Sequence, residues 1–180
     1  MSLRVWMRAS SAVDTDLRAY LERATGADAP RDAVHLRHQE LPARTAASGG
    51  WQSQPEAGLG GAGVADLVAA RRDEVALIEV WNWFADVGDA FRSWDRKLER
   101  LQAGTDGRVS GCWVVRATRN NRQLIAAHRT VFCARFPGSG TSWLTALTDP
   151  RGATPVKPAL LWVTVSGERL FAARLGSSRP

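Results

Sequence analysis

Two acids on neighbouring apolar runs are the residues of this chain best suited to chemistry. Asp66 stands in Val64-Ala65-Asp66-Leu67-Val68-Ala69-Ala70, and Glu79 in Val75-Ala76-Leu77-Ile78-Glu79-Val80-Trp81. Each run has strand length and is otherwise apolar. An ionised carboxylate in such a place is costly unless a cation sits beside it. The pair therefore asks either for a divalent metal or for a buried salt bridge with one of the many arginines. Side chains alternate along a strand, so Glu79, Trp81 and Trp83 share one face, and Asp66 shares a face with Val64 and Val68. If the two runs pair near their middles, the carboxylates converge. Two hard carboxylate oxygens with a backbone carbonyl, that of Val80, make a magnesium or manganese site that keeps several waters. Such an ion activates a water and offsets charge on a phosphodiester.

The elements that must position these acids follow from pattern. Runs 63–70 and 75–84, joined by Arg71-Arg72-Asp73-Glu74, predict an antiparallel hairpin. Residues 86–103 predict a helix: Val87, Phe91, Trp94, Leu98 and Leu101 form one apolar stripe, and Gly104 ends it. Beside that stripe lie Asp86, Ala90, Ser93 and Lys97. Ala90 and Ser93 are small and leave room for a long side chain along the helix. Lysine occurs only at Lys97 and Lys157, and a site that needs a compact ammonium does not accept arginine freely. Lys97 is thus the candidate catalytic cation; the alternative is an ordinary surface lysine paired with a nearby acid.

Elsewhere, residues 14–25 predict a helix stopped by Gly26, and 34–41 a half-buried strand. Residues 42–62, rich in Gly, Ala, Ser and Gln, predict a long loop exposing Trp51 for stacking on a base or a partner protein. A buried strand is expected at 111–117, and a helix at 120–135 opening at Asn120 or Asn121. Trp143 to Leu147 reads as a strand or a short helix, and 159–165 with 169–174 as a hairpin. A strand, a crossover helix and a further strand make a parallel unit. The expectation is a single α/β domain over 1–180, a mixed sheet flanked by helices. Its core spans about 14–135, and a C-terminal β-hairpin extension covers about 140–176.

The order helix–strand–strand–strand–helix–strand–helix, with Asp66 and then Glu79-Val80-Trp81 on the following strand, resembles the PD-(D/E)XK or restriction-endonuclease-like nuclease superfamily. The resemblance covers roughly residues 14–135. It implies that Asp66 and Glu79 bind magnesium and that a lysine two residues after Glu79 orients the attacking water. Position 81 is tryptophan instead, and Ala65 stands where the family has proline before its first acid. Displacement of the lysine to another element is a pattern of that superfamily, which implies that Lys97 takes the role. The segment Glu79 to Phe84, followed by Asp95-Arg96-Lys97-Leu98, is also similar to a domain found after helix-turn-helix modules in actinobacterial regulators. The alternative expectation is a catalytically inactive domain serving regulation, sensing or dimerisation, in which Trp81 fills the former cleft and the acids bind arginines.

Net charge is +6 and the sequence pI about 10.5, which favours an acidic partner such as nucleic acid or an anionic surface, or else reflects an arginine-rich composition; the nucleic acid expected is DNA. Arg71, Arg72, Arg119 and Arg122 are the expected phosphate contacts, and their use would make binding salt-sensitive. Cys112 and Cys133 offer neither a CxxC pair nor a disulfide framework, so a reducing, cytoplasmic setting is expected. No apolar stretch approaches the roughly 20 residues of a membrane helix. Gly58-Leu59-Gly60-Gly61-Ala62-Gly63 satisfies GxGxxG but precedes a strand, so dinucleotide binding is rejected. Gly138 to Ser142 lacks the lysine of a phosphate loop. His35 and His38, three apart on a predicted strand, would face opposite sides.

Overall fold

The computed structural model describes residues 31–84 and 86–175. Its centre is a six-stranded mixed sheet whose spatial order equals its chain order. The elements are α1 (Arg31–Ser48), β1 (Gln52–Gly58), a 3-10 turn (Gly60–Ala62), β2 (Val64–Arg71), β3 (Glu74–Trp81), α2 (Val87–Ala103), β4 (Arg108–Arg116), α3 (Arg119–Ala127), α4 (Arg129–Arg135), α5 (Gly140–Thr148), β5 (Ala159–Val163) and β6 (Leu170–Ala172). β2 runs antiparallel to both of its neighbours, β1 and β3; β3, β4 and β5 run parallel, and β6 turns back along β5.

Alternation along the strands divides the core between the two faces. Leu67, Ala69, Ile78, Val80, Cys112, Val114 and Leu161 pack with Ala46 of α1 and with Trp143 and Leu147 of α5. On the other face Leu77, Trp113, Val115 and Leu160 meet Phe91 and Trp94 of α2, Ile125 of α3 and Phe132 of α4. Gly111 makes the second layer possible. A Cβ there would sit 2.5 Å from the Trp94 ring and 2.5 Å from the Leu77 carbonyl oxygen, so only glycine lets α2 lie this close to β4.

The α/β class, the β2–β3 hairpin, α2 and the terminal hairpin follow the sequence pattern. Three expectations change. Residues 34–41 are not a strand but the middle of α1, so His35 and His38 stand on a helix. The expected loop at 42–62 holds the end of α1, all of β1 and the 3-10 turn. The single helix expected over 120–135 is two, broken at His128, and its cap is Thr118, whose side chain accepts from the Asn121 N–H. Trp143 to Leu147 resolves as helix. The C-terminal hairpin continues the same sheet past β4. The helix expected at 14–25 lies outside the described residues.

Candidate functional site

β2 and β3 pair regularly from Arg71↔Glu74 to Leu67↔Ile78. Beyond Leu67 side chains take over the ladder. The Val80 N–H donates to Asp66 Oδ2 at 2.7 Å, and the Asp66 N–H donates to Glu79 Oε1 at 3.4 Å. The pleat breaks at the same place: Ala65 packs on the α2 face while Leu67, two residues on, packs on the α1 face. Asp66 thus sits at the split of two strands, half-buried, with its carboxylate beside the backbone of Glu79-Val80.

Glu79 points toward α2 and is 3% exposed. Its Oε2 accepts from Lys97 Nζ at 2.6 Å. Lys97 is 7% exposed and lies against the sheet with Ala90, on the same side of the helix as Phe91 and Trp94. The small Ala90 and Ser93 stand on that stripe two turns and one turn before it, as the spacing predicts. Burial, then the negative charge of Asp66, push the Glu79 carboxyl up to about 7, and Lys97 only partly opposes them. Two acids and one ammonium from three elements therefore meet at the C-terminal end of the parallel strands, the usual location of ligand sites in α/β sheets.

Two neighbours escape the sequence pattern. Gln39 of α1 is 5% exposed, and its Nε2 donates both to Asp66 Oδ1 at 3.2 Å and to Glu56 Oε1 at 2.6 Å. Glu56 lies across from Asp66 in the β1–β2 register and has φ of 48°, a left-handed conformation that costs a non-glycine residue about 1 kcal/mol or more. The only available signal was Glu56 itself, an acid one residue after Pro55 in a segment with no strand pattern.

The remaining candidates divide. Trp81 turns into an aromatic cluster, stacked on Phe84 with centroids 5.2 Å apart and against Trp113 at 5.2 Å. Its indole nitrogen is buried without a hydrogen-bond partner among the described residues. Trp51 is not an exposed loop residue: it is 3% exposed, donates from Nε1 to the Ala146 carbonyl at 2.9 Å and carries Arg71 over its ring. Arg71 is buried as well. Its guanidinium donates to the carbonyls of Gly49, Asp149 and Gly152 and pairs with Glu74. Arg71, at the far end of β2, and Arg72, just past it, lie five and six residues from Asp66, or roughly 16 and 20 Å at the usual strand rise. Arg72 is exposed there and touches the Pro150 carbonyl. Arg119 and Arg122 are exposed at the end of β4 that the site occupies, with Arg122 over the Trp162 ring at 5.1 Å.

Among the described residues no group of three or more His, Cys, Asp or Glu is arranged to hold a metal. Asp66 and Glu79 are the acids that would offer oxygens to magnesium or manganese, which need only one or two carboxylates and keep waters; in this structure each of their four oxygens accepts a hydrogen bond. No helix of the described residues is long and apolar enough to cross a membrane. No family model matches this chain, nor does any curated protein or solved structure.

Proposed function

We propose that the protein is a magnesium- or manganese-dependent phosphodiesterase acting on nucleic acid, DNA in the first instance, built on a PD-(D/E)XK-like plan with its lysine moved to α2. The observation that carries this reading is the 2.6 Å contact of Lys97 Nζ with Glu79 beside the Asp66 carboxylate. A surface lysine would not be buried, and a merely neutralised acid would not have a second acid next to it. Asp66 and Glu79, with the Val80 carbonyl, would hold the ion. When bound, it supplies Lewis acidity and a water of lowered pKa. Lys97 would orient that water and offset charge developing on the phosphate. Arg119 and Arg122 would bind flanking phosphates. Because Glu79 must be ionised to ligate, metal affinity and cleavage should both climb as pH passes about 7.

The test is cleavage of plasmid and single-stranded DNA with magnesium or manganese. Glu79→Ala and Lys97→Ala should each lower the rate about a hundredfold or more. Cleavage that survives Glu79→Ala rejects the site.

A second reading, an inactive regulatory or homodimeric module, is favoured by one observation. Glu79 and Lys97 are nearly sealed from solvent, and Trp81, at the position where the family carries lysine, packs on Phe84 and Trp113. Under it, no variant or metal produces cleavage, and saturating magnesium leaves Tm unchanged, because no site binds the ion.

A further inference from the structure

The charge of this protein is unevenly placed. Residues 116–175, from the end of β4 onward, carry nine basic and two acidic side chains, while residues 31–115 carry ten and twelve. The part of the sheet that holds Asp66 and Glu79 is thus slightly acidic, and the positive excess belongs to β5, β6 and the helices after β4. An asymmetry of this kind marks a surface for an acidic partner.

Two of those arginines are seated on rings. The Arg122 guanidinium lies 5.1 Å from the Trp162 centroid and 5.8 Å from that of Phe171, and the Arg169 guanidinium lies 5.7 Å from Phe171. Both arginines are exposed, and neither forms an ion pair among the described residues. Arg122 Nε donates to the Ala117 carbonyl at 3.3 Å, which leaves its two terminal nitrogens for another acceptor. Glu168, next to Arg169 in the chain, accepts from the Ser166 hydroxyl at 2.9 Å. Two like charges on one ring repel unless an anion joins them. A guanidinium lying on an aromatic face keeps its edge free, and that edge matches two oxygens of a phosphate.

Strand register places this pair relative to the candidate site. Trp81, Val115, Trp162 and Phe171 are successive partners across β3, β4, β5 and β6. All four pack on the face toward α2, the face to which Glu79 points. Three strand spacings, roughly 14 Å, separate Phe171 from Trp81, and Glu79 is two residues before Trp81. A phosphodiester backbone passing along this end of the sheet covers that distance in about four steps of 3.4 Å.

We infer that Arg122 and Arg169, seated on Phe171, form a clamp for the phosphodiester backbone of a nucleic acid on the β6 side of the Asp66–Glu79–Lys97 site. As the track leading to that site, the clamp rests on the phosphodiesterase reading; as a phosphate-binding surface it does not. An anionic lipid layer needs charge alone and gains nothing from guanidinium groups fixed on a ring, whereas a backbone presents phosphates one by one. The experiment measures fluorescence anisotropy of a labelled DNA duplex with the full chain in EDTA, where no cleavage occurs, over a range of sodium chloride concentrations. Arg122→Ala and Arg169→Ala should each lower the slope of log affinity against log salt by about 1, and Arg72→Ala should leave it unchanged. Phe171→Leu keeps both charges and takes the ring from under Arg169; it should preserve the slope and weaken binding about threefold, the worth of an exposed cation–π contact. Arg169→Lys, which keeps the charge and loses the planar fork, should do the same. Absence of duplex binding by the unmodified protein, a slope indifferent to Arg169→Ala, or unaltered affinity in Arg169→Lys overturns the proposal. So does retention on phosphatidylserine-containing vesicles that Arg169→Ala abolishes while duplex binding stays intact, since that outcome assigns the face to anionic lipid. Failure of the metal site is distinguishable: cleavage would be absent while the slopes in EDTA still responded to both arginines.

Discussion

Burial and the neighbouring Asp66 raise the Glu79 carboxyl to about 7 from an ordinary 4.5, against the pull of Lys97. Folding therefore strengthens proton binding at this group. Its contribution favours the fold fully below about pH 4.5 and is lost as pH rises through about 7. A shift of that size corresponds to about 3 kcal/mol at most. Glu79→Gln mimics the protonated form, so the Tm of the unmodified protein relative to that variant should decline between pH 4.5 and 8. A difference that does not vary with pH refutes the assignment. Asp66 and Glu79 were legible because each interrupts an apolar run. Lys97 was legible because lysine is rare in this chain and because two small residues precede it on its stripe. Gln39 and Glu56 were not. They reach Asp66 through the docking of α1 and through strand register, and neither leaves a periodicity in the residues around them.

At the scale of elements, α2 decides whether the lysine reaches the acid. Trp94 rests over Gly111, and Lys97 is one turn further along the same helix. Gly111→Ala should push Trp94 off β4 and destabilise the protein by about 1–3 kcal/mol, the usual cost of overpacking. It should also lower cleavage more than Tm alone accounts for, because the Lys97–Glu79 contact lengthens. Chemical denaturation with single-turnover cleavage checks both; a folded variant with full activity would show that the spacing of α2 from β4 does not set the rate. α2 was readable because its apolar stripe is unbroken. α1 was hidden because its start alternates like a strand, Pro42 stands inside it, and its last turn is Ala- and Ser-rich. The break at His128 was hidden too. Ile125 and Phe132 belong to one cluster on either side of it, so the apolar pattern runs on through the break.

For the whole molecule, the net charge of +6 matters through where its arginines stand. Arg119 and Arg122 lie at the site end of the sheet, while Arg72 lies at the other and Arg71 is internal. If nucleic acid is the partner, its affinity should fall steeply with salt. Arg119→Ala and Arg122→Ala should each reduce the log–log slope by about 1, and Arg72→Ala should leave it unchanged. Equal effects of all three would mean diffuse attraction rather than a located surface. The class of fold was readable because alternation, the hairpin joint and the long α2 stripe are local signals. The path of the sheet past β4 was not, since it depends on which edge β5 joins.

That path has a consequence during synthesis. Each strand pairs with the one made just before it, so every new strand leaving the ribosome meets an edge that already exists, and long-range searching is kept small. Gln39, Glu56, Asp66, Glu79 and Lys97 have all been made before β4 begins. The half of the sheet that bears the candidate site is thus translated before the other half, and β5 and β6 arrive later to cover the open edge of β4.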